Sequence, residues 1–231
     1  MQNNKLQTFY NTLIEYNNKF NLTTIVEKDE VEVKHFRDSL LGVDILNQIF
    51  ELRKDKAKKF SILDIGAGAG FPSVPIAIKF CEDNYKKENI SFTLIETVGK
   101  KVLFLEHIKN LLNLENINIK KSRIEDLEKA TKYDVCISRA VASLPTLLEY
   151  ALPFVKIGGY VVCYKANNYL EELNSSENAL KILGGKLEKI EKYALPFKEE
   201  TLQRNLIIVK KISETPAKYP RGGNKPRLKK L

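Results

Sequence analysis

The sequence is poor in the side chains that most often carry out chemistry. Only two histidines, His35 and His107, are present to serve a hydrolytic triad or a metal site. The three cysteines, Cys81, Cys136 and Cys163, have neither metal-ligand nor redox-pair spacing. An odd cysteine count inside apolar stretches is typical of a reducing compartment, so we expect a cytoplasmic protein. Cys136 and Cys163 lie in predicted strands and are interpreted as small apolar fillers.

Several longer patterns are absent as well. No apolar run approaches the ~20 residues of a membrane helix, and no signal-peptide core follows the polar first residues, so we expect no membrane association. The sequence has no Gly-x-x-x-x-Gly-Lys-Ser/Thr phosphate loop and no Gly-x-Ser-x-Gly nucleophile elbow. It also lacks the Asn/Asp-Pro-Pro-aromatic loop that grips an exocyclic amine, and a Pro-Cys pair for attack on a pyrimidine ring. These absences leave no evident nucleophile or general base.

The most informative stretch that is present spans residues 60–72. An apolar run that ends near an acid, then glycines at every second position, then a proline before another apolar run predicts a strand, a glycine loop and a helix start. Because glycine lacks a β-carbon, a ligand can lie against the backbone at the carboxyl end of the strand, where doubly wound sheets bind nucleotides. The candidate cofactor-binding residues of this stretch are Asp64, Gly66, Gly68 and Gly70.

The spacing of these residues favours one class of nucleotide. The pattern is Gly-x-Gly-x-Gly, and Phe71 occupies the position of the third glycine in the dinucleotide fingerprint. Asp64 disfavours a pyrophosphate at the helix N-terminus, whereas the sulfonium and ammonium groups of S-adenosylmethionine tolerate or attract a carboxylate. A purely structural tight turn is the alternative interpretation of the same glycines.

Strands and helices alternate through most of the chain. The predicted strand at 90–96 ends in Glu96, one strand–helix–strand unit beyond Asp64, where a carboxylate can bridge the ribose hydroxyls of an adenosine. Five rounds of alternation and two closing strands, at about 186–194 and 205–211, predict an α/β, doubly wound, mostly parallel sheet. The predicted divisions are an N-terminal helical extension at 1–55, a core at 56–212 and a basic tail at 213–231.

The N-terminal extension contains two predicted helical segments, at 5–20 and at about 29–53. His35, Arg37 and Asp38 form a polar cluster in the second segment. We interpret this cluster as a solvated helix face or a local ion pair, with a substrate contact as the alternative.

The net charge of +9 is unevenly distributed along the chain. From residue 213 to 231, six basic residues accompany one acid, a net charge of +5, in a stretch rich in proline and glycine. This composition predicts a tail without a core of its own. A polyanion such as nucleic acid is the partner that this charge favours, and a solubilising tail is the alternative. The basic residues are Lys218, Arg221, Lys225, Arg227, Lys229 and Lys230.

A pocket of glycines and acids without a base suits methyl transfer. Transfer from a sulfonium to a lone pair requires in-line approach and little else, so positioning can supply most of the acceleration. A ring nitrogen that has no proton to lose, such as guanine N7, requires no general base. The sequence permits this acceptor and does not single it out.

Several stretches together resemble one family. The loop Asp64-Ile-Gly-Ala-Gly-Ala-Gly-Phe-Pro72 looks like the first motif of class I S-adenosylmethionine-dependent methyltransferases. Its Phe-Pro extension resembles the bacterial small-subunit ribosomal RNA methyltransferase G family (RsmG, also called glucose-inhibited division protein B, GidB). The resemblance extends over nearly the whole chain. The other similar stretches are Asn17–Thr23, His35–Leu40, Gly99–Leu105, Ser138–Leu144 and Lys156–Gly159.

The resemblance implies a Rossmann-like, seven-stranded class I methyltransferase fold with S-adenosyl-L-methionine as cofactor. It implies N7-methylation of a guanosine in 16S ribosomal RNA, with that RNA or the small ribosomal subunit as the partner of a monomer. Glu96 would hold the ribose, although many family members have Asp there, and Ser73 stands where the family often has Gly. The further implied cofactor contacts are Gly66, Phe71, Ile124, Glu125 and Arg139.

Arg139 is also the candidate catalytic residue. It could pair with the cofactor carboxylate, with an RNA phosphate, or in a structural ion pair with Asp64 or Glu125. Two alternatives to the RNA methyltransferase remain open from the sequence: a nucleotide- or RNA-binding module without chemistry, and a methyltransferase acting on another RNA or a small molecule. No metal site is expected.

Overall fold

The computed structural model describes residues 4–53, 55, 57–166 and 169–231. The chain forms two compact units, one made of residues 1–121 with 195–202 and the other of residues 122–194 with 203–231. The N-terminal helices belong to the same unit as the glycine loop, and the basic tail belongs to the other. The three-part division made from the sequence stays a prediction, since the two units are bounded at other positions.

Seven strands form one sheet: β1 (Phe60–Ile65), β2 (Ile90–Glu96), β3 (Ile117–Lys121), β4 (Tyr133–Arg139), β5 (Val155–Lys165), β6 (Gly185–Phe197) and β7 (Glu200–Lys211). Their order in the sheet is β3-β2-β1-β4-β5-β7-β6. In the first unit β2 pairs in parallel with both β1 and β3. In the second unit β5 pairs in parallel with β4 and antiparallel with β7. The predicted α/β, doubly wound, mostly parallel seven-stranded sheet is confirmed.

The helices of the first unit are α1 (Asn4–Phe20), α2 (Lys28–Val31), α3 (Asp38–Leu40), α4 (Val43–Leu52), α5 (Ser73–Phe80), α6 (Asn84–Asn89) and α7 (Gly99–Leu111). The predicted helix at about 29–53 is therefore a succession of short helices, with a π-helical segment at Glu32–Arg37. Helix α1 buries Phe9 and Leu13, as the helical spacing predicts. Its Lys5 Nζ donates to the carbonyl oxygen of Leu112, just after α7, at 2.7 Å.

The helices of the second unit are α8 (Leu144–Ala151), α9 (Tyr169–Asn174), α10 (Glu177–Leu183) and α11 (Lys225–Leu228), with 3₁₀ turns at Ile124–Asp126 and Leu152–Phe154. The residue pattern over 169–183 predicts one charged amphipathic helix, but the structure breaks it between α9 and α10. The hydroxyls of Ser175 and Ser176 both donate to the carbonyl oxygen of Glu172, at 2.9 and 2.6 Å, and so compete with the continuing helix. None of the described helices in either unit has both the length and the apolar character needed to cross a membrane.

The closing hairpin is longer than its composition predicts. We expected strands at about 186–194 and 205–211 with a loop between them, but β6 and β7 are separated only by Lys198 and Glu199. The hairpin tip belongs to the first unit, where Leu195 and Phe197 form a buried cluster with Val33. Leu41 and Leu202 pack against the same cluster. Burial of this apolar surface stabilises strand structure that the local sequence does not signal.

Two adjacent glycines in β5 allow a matched test of backbone packing. A β-carbon at Gly159 would run into the carbonyl oxygen of Asp134 and lie 2.9 Å from Cγ1 of Val155. We expect Gly159→Ala to lower the free energy of unfolding by at least about 3 kcal/mol, because backbone must move. At Gly158 a β-carbon would meet nothing within 4 Å, and only its φ of +88° is unfavourable. Gly158→Ala should therefore lower the free energy of unfolding by only about 1–2 kcal/mol.

Equilibrium urea unfolding of both variants measures the difference. An equal loss for the two variants would contradict the packing of Gly159 against the backbone of Asp134.

Candidate active site

The glycine loop begins where β1 ends and is fastened to the end of β2. The backbone N–H groups of Gly66 and Ala67 both donate to the carbonyl oxygen of Ile95, at 2.9 and 3.1 Å. Gly66, Gly68 and Gly70 have φ angles of +71°, +58° and +94°. Residues with a β-carbon rarely adopt this region, so the three φ angles account for glycine at every second position.

Gly68 and Gly70 differ in what surrounds them. A β-carbon at Gly68 would have only the carbonyl oxygen of Gly66 nearby, at 3.9 Å. A β-carbon at Gly70 would lie 2.7 Å from Cγ2 of Val74 and 3.2 Å from Cδ2 of Leu105, where the loop packs against α5 and α7. The loop is thus closely packed at Gly70 and open at Gly68. The open face at Gly68 is where a ligand can lie against the backbone.

Glu96, the last residue of β2, joins the glycine loop to the loop that follows β2. Its side chain is buried, with 6% of the residue exposed. Oε1 accepts from the backbone N–H groups of Thr97 and Val98, at 2.7 and 2.8 Å. Oε2 accepts from the backbone N–H of Gly68 at 2.9 Å. Because a carboxylate oxygen has two lone pairs, Oε2 keeps the capacity to accept a further hydroxyl beside the open face.

Asp64 lies two residues before the glycine loop and is fully buried in β1. It is in register with Leu94 of β2. A buried carboxylate is unfavourable unless its surroundings compensate for the lost hydration. Its contact with a cofactor stays a prediction.

Phe71 faces the core of the first unit. Its ring stacks on that of His35, with centroids 4.3 Å apart, and on that of Phe9 at 5.2 Å. Phe36 adds a tilted contact at 5.9 Å, and only 6% of Phe71 is exposed. The Phe71 side chain therefore anchors the glycine loop to α1 and the π-helical segment. Its predicted cofactor contact, which is untested, would have to come mainly from its backbone.

The polar cluster of the N-terminal extension is mostly buried. His35 and Asp38 are 8% and 4% exposed, and only Arg37 faces solvent. The His35 Nε2 atom lies 3.0 Å from Oγ1 of Thr23, and the ring stacks on Phe71. The solvated-face interpretation is wrong for His35 and Asp38, because both are buried, His35 against the ring of Phe71. The position of His35 directly before Phe36 was the signal that could have indicated this.

The remaining predicted site residues lie in the second unit. Ile124 begins the 3₁₀ turn after β3 and is 5% exposed. Glu125 follows it, with 8% of its side chain exposed and an ion pair to Arg123 at 3.6 Å. Arg139 ends β4, where it is in register with Tyr164 of β5. The structure thus brings the glycine loop and Glu96 together in one unit and Ile124, Glu125 and Arg139 into the other.

The loop that follows Arg139 is held by two side chains that the sequence interpretation missed. Ala140, the residue after Arg139, has a φ of +58°, an unfavourable value for a residue with a β-carbon. Lys165 Nζ donates to the carbonyl oxygen of Ala142 at 2.8 Å and to Glu172 Oε2 at 2.6 Å. The same Oε2 accepts the backbone N–H of Leu144 at 2.6 Å. The position of Lys165 at the end of an apolar strand was the available signal.

The cysteines and His107 occupy unreactive positions. Burial raises the pKa of the Cys163 thiol to about 12, and Cys136 is also fully buried, as expected for small apolar fillers. His107 is exposed on α7, with its ring stacked on Tyr16 at 4.9 Å between centroids. In the described part of the chain, no group of three or more His, Cys, Asp or Glu side chains is arranged to hold a metal ion.

Comparison with known proteins gives the family. Residues 2–208 match the model of the GidB family, described as rRNA small subunit methyltransferase G. The chain belongs to this family. A ribosomal RNA small subunit methyltransferase G of Alkaliphilus metalliredigens is 38% identical over 98% of this chain and 90% of its own length. That of Acetivibrio thermocellus is 40% identical over 97% and 87%. The chain is therefore an rRNA methyltransferase, as the resemblance implied.

Solved structures give the same fold. A class I S-adenosylmethionine-dependent methyltransferase of Listeria monocytogenes is similar at a TM-score of 0.62 and 14% identity, over 92% of this chain and 71% of that one. An S-adenosylmethionine-dependent O-methyltransferase of Thermotoga maritima is similar at a TM-score of 0.55 and 16% identity, over 88% and 72%. The class I methyltransferase fold predicted from the sequence is confirmed.

The Glu96 contacts predict a defect in cofactor binding. In Glu96→Gln one carboxylate oxygen becomes an NH₂ group, which would face either the Gly68 N–H or the N–H groups of Thr97 and Val98. We expect the affinity for S-adenosylhomocysteine to fall at least about tenfold, because a charge-assisted acceptor is lost and two donors meet. Isothermal calorimetry measures this affinity. Glu88→Gln, an exposed position on α6, is the matched control, and equal affinities of the two variants would contradict the role of Glu96.

Proposed function

We propose that this member of the family transfers a methyl group from S-adenosyl-L-methionine to N7 of a guanosine in 16S ribosomal RNA. Family membership gives the reaction class and the kind of RNA. The acceptor atom, the residues of the site and the protein's state as a cytoplasmic monomer belong to the proposal.

The hydrogen bond between the Gly68 N–H and Glu96 Oε2, at 2.9 Å, carries the proposal. It sets an acceptor with remaining capacity next to Gly68, whose β-carbon position is open. This pair fits an adenosine whose ribose hydroxyl donates to Glu96 while the rest of the cofactor lies along the loop. Gly66 and Gly70 keep the loop in the conformation that this requires. When bound, S-adenosyl-L-methionine supplies a methyl group on a positively charged sulfur.

The environment of the described side chains supports an acceptor that loses no proton. The His35 ring is stacked on Phe71 and contacts Thr23, so it is not placed for proton transfer. The Cys163 thiol has a pKa of about 12 and is fully buried. Guanine N7 offers a lone pair without a proton, so orientation and exclusion of water are sufficient. Arg139 is the proposed catalytic residue, a cation that pairs with the cofactor carboxylate or an RNA phosphate; Ile124 and Glu125 are proposed cofactor contacts.

Transfer of tritium from labelled S-adenosylmethionine to small-subunit ribosomal RNA or particles tests the reaction. We expect labelled 7-methylguanosine after digestion to nucleosides and mass spectrometry, and no label above background with Asp64→Ala. Asp44→Ala, at an exposed position on helix α4, is a matched control that should retain the activity. A protein that binds S-adenosylhomocysteine but transfers no label would refute the proposal in favour of a binding module. Label on another atom would refute the N7 assignment.

The pH dependence gives a second test of the acceptor. Because N7 has no proton to lose, the single-turnover rate should vary by less than about twofold from about pH 6.5 to 8.5. A tenfold rise per pH unit over this range would indicate a base or a deprotonating acceptor and would contradict N7 transfer without a base.

A further inference from the structure

The C-terminal segment, residues 219–231, is packed in place in the second unit. Tyr219 is 5% exposed and Pro226 is buried, so the tail, predicted to have no core of its own, packs against the rest of the unit. The match to the family model ends at residue 208, so the segment lies beyond it.

A buried ion pair anchors the segment to α8. The Arg221 guanidinium donates to both carboxylate oxygens of Glu149, from Nε to Oε1 at 2.8 Å and from Nη2 to Oε2 at 2.6 Å. The backbone N–H of Arg221 also donates to Oε1, at 2.9 Å. The Glu149 side chain is 1% exposed, and the hydrogen bond to this carboxylate raises the pKa of Arg221. Such a bidentate pair fixes orientation as well as distance.

The segment reaches the loop that follows Arg139. Arg227 Nη2 donates to the carbonyl oxygen of Val141 at 3.2 Å. Thr146 Oγ1, on the first turn of α8, donates to the carbonyl oxygen of Pro226 at 2.9 Å. Arg227 and Lys165 therefore bind consecutive carbonyl groups of the loop, those of Val141 and Ala142. Arg227 of helix α11 thus binds the residue that directly follows Ala140, whose φ angle is unfavourable.

The exposed charge of the segment has one sign. It contains five basic residues and no acid. Glu149 neutralises Arg221, and the four other cations are exposed: Lys225, Arg227, Lys229 and Lys230. A helix and the residues after it that carry four uncompensated cations within six positions are a strong electrostatic footprint for a phosphate backbone.

We propose that the C-terminal segment is a docking surface for the ribosomal RNA backbone, anchored by Arg221–Glu149 so that the bound RNA lies beside the loop after Arg139. This inference rests on the proposed function, because it identifies where the RNA of that reaction is held. Anchoring matters because a cation on a free tail would bind phosphate without orienting it, whereas α11 fixes its cations relative to the loop.

The first experiment removes charge without touching any packed side chain. The variant Lys225→Gln/Lys229→Gln/Lys230→Gln changes three exposed residues, and Lys181→Gln/Lys186→Gln/Lys192→Gln removes the same charge from exposed positions elsewhere in the unit. Affinity for small-subunit ribosomal RNA is measured between about 50 and 300 mM salt. We expect the first variant to bind at least about tenfold more weakly at the lowest salt, with a salt slope smaller by about 2–3. The control variant should keep the wild-type slope.

The readouts separate this proposal from the proposed function. Both variants should keep wild-type affinity for S-adenosylhomocysteine, and the KM for RNA should rise in the first variant while kcat changes less than about twofold. If the first variant methylates RNA like the wild type and keeps its RNA affinity and its salt dependence of binding, the docking surface is overturned. The proposed methyl transfer would then still stand. Absence of methylation and of RNA binding by the wild type would overturn both.

The second experiment tests the anchor. Glu149→Gln removes the charge that holds Arg221, and limited trypsin digestion then reports whether residues 219–231 have come free. We expect faster cleavage in the segment, weaker RNA binding and a near-normal melting shift with S-adenosylhomocysteine. If trypsin cleaves the segment faster in Glu149→Gln but the variant keeps the wild-type RNA affinity and its dependence on salt, the proposed role of the anchor is wrong. If Glu149→Gln fails to fold, the exposed triple variant decides the proposal alone.

Discussion

The candidate site depends on a single carboxylate that holds two backbone segments. Glu96 accepts from Gly68 on one side and from Thr97 and Val98 on the other, so the loops after β1 and β2 share one acceptor. Hydrogen bonds to a charged acceptor contribute about 1.5–3 kcal/mol each, more than neutral ones. The positive φ angles of the glycines make the loop possible, and Glu96 selects one position for it. A shorter acid such as Asp could not reach the same donors without a shift of the backbone.

Local sequence signals predicted most of the fold and the glycine loop that follows β1, whereas the roles of the site residues stay predictions. Glycine spacing, an acid at a strand end and alternating apolar runs are short-range features, and β1, β2, the loop and Glu96 follow from them. The features that escaped prediction depend on residues far apart in the chain. Arg221 and Glu149 are separated by 72 residues, and the hairpin is extended by a cluster of Leu195 and Phe197 with Val33. Neither the tail nor the hairpin tip carries a local pattern that indicates its partner.

The basic residues of the segment 219–231 fall into two groups. Arg221 forms an internal ion pair with Glu149, whereas the cations on and after α11 are exposed. A tail with the same composition but no buried partner would have had the same net charge and no fixed orientation. Composition therefore indicates the sign of the partner that we propose, whereas the fixed orientation of the cations comes from long-range contacts such as the ion pair between Arg221 and the buried Glu149.

Phe71 belongs to the glycine-loop motif, but its ring contacts the N-terminal helices. Glycines and an acid in this arrangement suit the cofactor of class I methyltransferases generally, whereas the Phe-Pro extension pointed to one family. In the structure this extension faces Phe9, His35 and Phe36 rather than the open side of the loop. Aromatic pairs of this kind contribute about 0.5–1.5 kcal/mol each beyond the burial of their area. Phe71 thus fixes the glycine loop to the N-terminal helices, while the backbone at Gly68 stays open.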